Sequence, residues 1–145
     1  MKYCGCFSAK EPLFYKGTKG GETVKLVLNN RDPIYLQVVT YFKQQLATGQ
    51  LSGGQEIPSR RELGVMLNIN PNTVQKAYKE MEDQKLIMTE RNFPSKITND
   101  QSILQNVRKE LIHEATAQYI KAMKEIAIPV EEVIEAVKEV YQKDS

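Results

Sequence analysis

Residues 57–82 carry the sequence IPSRRELGVMLNINPNTVQKAYKEME, which is typical of two short helices joined by a tight polar turn. Ser59 and Glu62 have the S-x-x-E spacing of a capping box, in which each side chain satisfies a backbone N–H at a helix start. Asn70 and Pro71 predict the second start, because asparagine is a good N-cap and proline suits the first helical position. The rest of the chain is interpreted as support for these two helices.

Apolar residues within this stretch recur at spacings of three and four, which places them on one buried stripe of each helix. The predicted stripes contain Leu63 and Leu67 in the first helix and Val74, Ala77, Tyr78 and Met81 in the second. The second helix then presents an outward polar face made of Asn72, Thr73, Gln75, Lys76 and Lys79. Amides can pair with base edges and lysines neutralise phosphates, so this face suits the major groove of DNA.

A helical hairpin whose polar face is merely solvated is the alternative, since polar outer faces are common on surface helices. Three features favour a helix-turn-helix: the first helix is short, the turn at residues 68–70 is tight, and the second helix begins with small polar side chains. In that motif the second helix reads bases with its N-terminal residues. We therefore interpret residues 57–82 as a DNA-binding motif.

Two motifs in this region also resemble a known family. Residues 58–63, PSRREL, are similar to the P-S-x-R-E-L signature of GntR-type winged-helix transcription regulators, and residues 69–78, INPNTVQKAY, are similar to their recognition helix. The second motif resembles the small YtrA subgroup in particular. The resemblance runs from about Val24 to the C-terminus. It implies a mainly α fold with a small β wing (α+β), in which an N-terminal winged helix-turn-helix precedes a two-helix C-terminal dimerisation tail.

The predicted organisation has three parts. Residues 1–23 are interpreted as a flexible N-terminal extension, residues 24–99 as the winged helix-turn-helix domain, and residues 100–145 as the helical dimerisation region. The resemblance implies a homodimeric repressor that binds a pseudo-palindromic DNA operator. The cytoplasm is the default location expected from a sequence with no predicted membrane span or secretory signal. A small-molecule effector stays open, and the tail is too short to enclose a typical cavity for one.

The segment before the helix-turn-helix is expected to supply a strand and a scaffold helix. Loose alternation at residues 24–29 predicts the strand. Asp32 as N-cap and Pro33 at the first helical position predict the helix start. Its predicted buried stripe contains Ile34, Val38, Phe42 and Leu46. Glycines 49, 53 and 54 are expected to end the helix and lead into a short strand at residues 55–57.

Residues 85–98 predict the β-hairpin wing, since two strand-like runs flank a turn that contains Asn92 and Pro94. Members of the family usually have a glycine just before the first wing strand and a glycine-rich tip. This chain has Lys85 at the first place and RNFPS at residues 91–95 in the second. Asn92 tolerates the left-handed conformation that glycine would have supplied.

The residues expected to contact DNA are Arg60, Arg61, Asn70, Asn72, Thr73, Gln75, Lys76, Lys79, Arg91 and Asn92. Asn72 and Gln75 are the best candidates for base readout, and Lys76 and Lys79 are expected to follow phosphates. Arg61 is expected to bind a phosphate or reach a guanine. For Arg91, a solvated hairpin charge is the alternative to a wing contact.

Two C-terminal helices are predicted, one over residues 103–127 and another beginning at Pro129. The residues expected to form a dimer interface are Leu104, Val107, Leu111, Ala115, Tyr119, Met123, Val133, Val137 and Tyr141. Packing of these apolar stripes back on the winged helix is the alternative. We favour pairing with a second chain, because a helix pair is marginal without a partner face.

Composition excludes some classes of protein and leaves others open. A formal net charge of +2 over 145 residues does not by itself indicate nucleic-acid binding, and Glu80, Glu82 and Asp83 follow the basic residues of the second helix. No apolar run is long enough to span a bilayer, and the N-terminus lacks the features of a secretory signal. We therefore expect no membrane partner.

No motif predicts catalysis or a cofactor, and the single histidine, His113, is more typical of a helix surface than of a catalytic base. The C-x-C spacing of Cys4 and Cys6 does not match common zinc or redox motifs. Two alternatives stay open beside the transcription regulator. One is a winged-helix protein-interaction module that has lost DNA binding, and the other is a sensor in which the two cysteines gate DNA binding through a thiol or metal.

Overall fold

The computed structural model describes residues 13–16 and 23–145 of the chain. In chain order the elements are β1 (Leu13–Lys16), β2 (Thr23–Leu26), α1 (Ile34–Ala47), α2 (Arg60–Leu67), α3 (Pro71–Asp83), β3 (Ile87–Met88), β4 (Lys96–Ile97), α4 (Gln101–Glu125) and α5 (Val130–Lys143). This order confirms the predicted mainly helical fold with a small antiparallel wing. Within the described ranges, no helix combines the length and apolar character needed to cross a bilayer.

The predicted strand at residues 24–29 begins and ends earlier than expected, at Thr23–Leu26. It pairs antiparallel with β1, with Leu13 opposite Leu26. The strand stops because Asn29 forms a turn: its side-chain oxygen accepts from the backbone N–H groups of Arg31 and Asp32 at 2.9 and 3.1 Å. The rest of the predicted flexible extension, including Cys4 and Cys6, lies outside the described residues.

The start of α1 corrects a second prediction. Pro33, rather than Asp32, occupies the N-cap position, with φ −54° and ψ 130°. The carbonyl of Pro33 accepts from the backbone N–H groups of Leu36 and Gln37, at 3.0 and 3.2 Å. The Asp32 carboxylate instead accepts from the side-chain amide of Asn29 at 3.2 Å. The helix begins one residue later than predicted, because the Asp32 side chain is bonded to Asn29 and does not cap the helix.

The core of the predicted DNA-binding region lies around α3. Its four predicted apolar residues, Val74, Ala77, Tyr78 and Met81, are fully buried, as predicted. They meet Val38 and Phe42 of α1, which are buried too, and the Phe42 and Tyr78 rings lie edge to face at 6.5 Å. Ile34 and Leu46, also predicted for the buried stripe of α1, remain partly exposed at the two ends of that helix.

The segment between α1 and α2 lies alongside the wing hairpin formed by β3 and β4. Gly49 has φ 77° and allows the chain to leave α1. The strand predicted at residues 55–57 is reduced to one bridge, Glu56 to Lys96, but its backbone still pairs with β4. The N–H of Ile97 donates to Gln55 and the N–H of Ile57 donates to Ser95, each at 2.9 Å. These bonds attach the entry to α2 to the wing.

The chain forms two compact units, which divide after Arg108, inside α4. Both C-terminal helices are present, and α5 has Glu131 and Glu132 in its first turn and Lys143 in its last, which complements the helix dipole. Val107 and Val133 were expected at a dimer interface. They are 2% and 5% exposed, so each is already buried within the single chain.

Candidate nucleic-acid interface

The capping box at the start of α2 is formed as predicted. The Ser59 hydroxyl accepts from the Glu62 N–H at 3.2 Å, and the Glu62 carboxylate accepts from the Ser59 N–H at 2.8 Å. The Ser59 backbone and side-chain hydrogen bonds lower the pKa of Glu62 below its usual value. This cap fixes the first turn of α2, where Arg61 is exposed to solvent.

The turn between α2 and α3 is built by two asparagines. Asn68 ends α2 in the left-handed conformation, with φ 50° and ψ 47°, which asparagine adopts more readily than most residues. The side chain of Asn70 accepts from the Asn72 N–H at 2.8 Å, and Pro71 occupies the first helical position. Both features confirm the predicted start of α3, and they fix the direction in which α3 leaves the turn.

The polar face of α3 is exposed on the side opposite its buried stripe. Asn72, Gln75, Lys76 and Lys79 are exposed, and Thr73 is half-buried. Asn72 lies three and four residues before Gln75 and Lys76, and Lys79 lies four and three residues after them, so the four exposed side chains share one face. We call this surface, made of Asn72, Gln75, Lys76 and Lys79, the α3 polar face. Asn70 lies exposed just before it, at the N-terminus of the helix.

One member of the α3 polar face has a partner that the sequence did not reveal. The Lys76 ammonium nitrogen lies 4.0 Å from the centroid of the Tyr35 ring, a cation–π contact between α3 and α1. Tyr35 lies outside the four-residue spacing of the α1 stripe and is half-buried. The position of Tyr35 off that stripe was the one signal in the sequence that its ring has a role other than core packing.

Arg60 is partly buried and paired with other residues of the chain, whereas its neighbour Arg61 is exposed. Its guanidinium nitrogen lies 2.8 Å from the Glu82 carboxylate, and its guanidinium carbon lies 5.0 Å from the centroid of the Tyr78 ring. The Tyr78 hydroxyl in turn donates to the Pro58 carbonyl. Arg60 therefore joins the start of α2 to the end of α3, and it is a positioning residue in this structure.

The Arg60 contact continues into the wing through Glu82. The Thr89 hydroxyl donates to the Glu82 carboxylate at 2.6 Å and shares a 2.8 Å hydrogen bond with the Ser95 hydroxyl. We call Arg60, Glu82, Thr89 and Ser95 the wing network, because they connect both helices of the motif with the hairpin. The Glu82 charge near the proposed DNA surface is thus paired with a guanidinium, which weakens its repulsion of phosphates.

The wing hairpin uses two left-handed residues that are not glycine. Lys85 has φ 58° just before β3, and Asn92 has φ 66° at the tip. The Phe93 N–H donates to the Glu90 carbonyl at 3.1 Å, so residues 90–93 form a turn whose third residue needs a positive φ. Arg91 and Asn92 are exposed at this tip, as predicted, and Phe93 is exposed beside them.

Comparison with known proteins matches this arrangement to one family. The sequence model of the family described as "Bacterial regulatory proteins, gntR family" matches residues 34–96, from the start of α1 to the first residue of β4. The chain is 33% identical over 106 residues to the uncharacterised HTH-type transcriptional regulator YhcF of Bacillus subtilis, covering 73% of this chain and 88% of that protein. The chain belongs to the GntR family. It is therefore a DNA-binding transcription regulator with a winged helix-turn-helix.

Two further relatives of this GntR-family regulator are similar over most of their length. The HTH-type transcriptional repressor YtrA of Bacillus subtilis is 34% identical over 109 residues, with 74% of this chain and 84% of YtrA covered. The structure of a GntR family transcriptional regulator from Listeria monocytogenes is 31% identical, with a TM-score of 0.72, and covers 77% of this chain and 98% of that one. The matched lengths show that this regulator resembles compact family members.

A protein metal site needs several His, Cys, Asp or Glu side chains close together. Among residues 13–16 and 23–145, no group of His, Cys, Asp and Glu side chains has the arrangement of a metal site.

Proposed function

We propose that this GntR-family protein is a homodimeric, YtrA-like repressor that binds a pseudo-palindromic DNA operator through the α3 polar face. The observation that carries the proposal is the division of α3 between a fully buried apolar stripe and an exposed row of amides and lysines. Repression is suggested by the similarity to YtrA of Bacillus subtilis, which is a transcriptional repressor by name. Because the target is DNA, the proposed location is the cytoplasm.

Within this proposal the exposed residues divide into two groups. Asn72 and Gln75 would read base edges, since amides offer a donor and an acceptor to adenine in the major groove. Arg61, Lys79 and the wing-tip Arg91 would bind phosphates, which position the protein without reading sequence. Arg60 is left out of direct contact, because its guanidinium is already paired with Glu82.

Residues 100–145 are the proposed dimerisation region. The apolar residues of α5 other than Val133 are exposed in the single chain: Val130, Ile134, Val137, Val140 and Tyr141. Exposed apolar patches of this kind mark sites of association. A two-fold dimer would place its recognition helices about 34–36 Å apart or at a multiple of that distance, which predicts the spacing of the operator half-sites.

The test compares two substitutions on the α3 polar face. Gln75→Ala is expected to lower the preference for operator over random duplex by roughly 1–3 kcal/mol for each half-site, because a base contact is lost. Lys79→Ala is expected to weaken binding to both duplexes alike and to reduce the salt dependence, because a phosphate contact is lost. The operator for this measurement is obtained by selecting bound fragments from the organism's genome.

Two outcomes contradict the proposal. If both variants lose the same affinity on operator and random DNA, α3 does not read the sequence. If the unmodified protein ignores duplex DNA at low ionic strength, the protein is an interaction module that has lost DNA binding.

A further inference from the structure

The contact between Lys76 and Tyr35 is the one place in the described structure where the α3 polar face is tied to another helix by an aromatic ring. The ammonium nitrogen lies 4.0 Å from the ring centroid. Tyr35 is the second residue of α1, and its ring is half-buried, whereas Lys76 is exposed and follows the proposed base-reading residue Gln75. A half-buried ring therefore holds the end of an exposed, flexible side chain.

The two helices that carry this pair are held rigidly to each other. Val38, Val39 and Phe42 of α1 and Val74, Ala77 and Tyr78 of α3 are all buried. The Phe42 and Tyr78 rings contact each other edge to face. Because this packing fixes α1 against α3, the Tyr35 ring is a fixed platform for a lysine that otherwise has four rotatable side-chain bonds.

The ring contact occupies one side of the ammonium and leaves its other side open. An ammonium has three N–H donors and an aromatic face accepts the charge without consuming all of them. A lysine that moved freely at this position could bind the acceptors of guanine in the major groove, in competition with the base contacts of Asn72 and Gln75. A lysine held on α1 is limited to the edge of the α3 polar face, where a DNA backbone would pass.

We propose that Tyr35 is a positioning residue for DNA binding, whose ring holds the Lys76 ammonium beside a backbone phosphate and away from the bases that Asn72 and Gln75 read. The inference rests on the proposed function of the α3 polar face. Lys76 is then ordered before DNA arrives, so less side-chain freedom is lost on binding. Lys79 lies on the same face and has no aromatic partner among the residues the structure describes, so it provides an internal comparison.

The experiment is a double-mutant cycle with Tyr35→Leu, Lys76→Met and the double variant, read by binding to a mixed-sequence duplex over a range of salt concentrations. Tyr35→Leu is expected to weaken binding about two- to five-fold for each bound chain. Lys76→Met is expected to reduce the slope of log affinity against log salt by about 0.9 for each bound chain. Tyr35→Leu keeps that slope, because the phosphate contact is disordered rather than removed.

The cycle separates positioning from structural support. In the Lys76→Met background, Tyr35→Leu should have no further effect, since there is no ammonium left to hold. Tyr35→Phe keeps the ring face and should bind like the unmodified protein. The Lys79→Met background is the matched control, in which Tyr35→Leu should still cost its full two- to five-fold per chain.

A second measurement does not depend on DNA or on the stability of the leucine variant. In NMR spectra, the ring current should shift the terminal methylene protons of Lys76 upfield in the unmodified protein and in Tyr35→Phe. Unshifted protons would overturn the inference. The inference would also be overturned if Tyr35→Leu lowered the DNA affinity equally with and without Lys76, or did not lower it at all. Tighter DNA binding by Tyr35→Leu would overturn it too, because the ring would then withdraw Lys76 from DNA. Failure of the unmodified protein to bind any duplex would instead overturn the proposed function.

Discussion

Lys85 adopts a left-handed backbone conformation, with φ 58°, between the end of α3 and the first wing strand. A side chain with a β-carbon is strained there by contact with the neighbouring carbonyl, a strain that glycine avoids. Ala127 has the same problem, with φ 55°, between α4 and α5. Asn92, at φ 66°, is better suited, because asparagine is enriched in this region. At Lys85 this strain is outweighed by the burial of Met81, Leu86 and Ile87 on either side of it.

Lys85→Gly is therefore expected to raise the free energy of unfolding by about 0.5–1 kcal/mol. The relief of strain exceeds the entropy that glycine adds to the unfolded chain. Urea denaturation measures the change. Lys85→Ala is the matched control, since it removes the same charge but keeps the β-carbon, and it should leave stability nearly unchanged. An equal gain in both variants would assign the effect to charge rather than to backbone strain.

At the scale of helices and strands, the features that could be predicted are those set by neighbouring residues. The capping box of Ser59 and Glu62, the Asn70 cap and the buried stripe of α3 depend on spacings of two to four residues, and all three are confirmed. The start of α1 was predicted one residue early because Asp32 bonds to Asn29 instead of capping the helix. Two competing local contacts of similar strength cannot be ranked from sequence alone.

Contacts between elements were beyond prediction. Arg60 was expected to face DNA, because the local sequence does not distinguish it from its neighbour Arg61. Its guanidinium is instead paired within the chain, with 32% of the side chain exposed, because α3 brings Glu82 and the Tyr78 ring to it from 18 to 22 residues further along the chain. The Tyr35 contact with Lys76 likewise depends on how α1 packs against α3. Spacing within one helix carries no information about either.

The wing network yields a prediction at the scale of elements. Glu82→Gln should lower the free energy of unfolding by about 1 kcal/mol, because Arg60 loses its charged partner and the hydrogen bond from Thr89 weakens. Asp83→Asn changes the net charge by the same unit at an exposed neighbour. It should stay within about 0.5 kcal/mol of the unmodified protein. Urea denaturation of both variants makes the comparison.

The same pair of variants separates wing position from overall charge in DNA binding. Removing an acid near DNA should by itself strengthen binding at low salt, and Asp83→Asn is expected to show this. Glu82→Gln is expected to bind operator more weakly than Asp83→Asn, because the wing loses its connection to both helices. Equal affinities would mean that the wing network contributes stability and leaves the DNA contacts unchanged.

For the whole molecule, the most conspicuous apolar surface lies on α5. Val137 is 45% exposed and Tyr141 is 78% exposed, although both belong to the apolar stripe that the sequence predicts. Val133 is buried in the single chain, so the part of the stripe left for a partner lies on the exposed side of the helix. Leaving such a stripe in water is costly, since each fully buried aliphatic side chain contributes about 1.5–3 kcal/mol.

The proposed dimer therefore predicts that Val137→Glu yields a monomer, because the new carboxylate would be desolvated at the centre of the apolar stripe. Gln142→Glu adds the same charge to α5 at an exposed polar position and should remain a dimer. Light scattering after size-exclusion chromatography measures the mass of each. Because a palindromic operator needs two recognition helices, Val137→Glu should also lose most of its operator affinity while its affinity for a single half-site falls much less. A monomeric unmodified protein that binds a palindrome no better than a half-site would show that α5 has another partner, and that the α3 polar face acts on DNA one copy at a time.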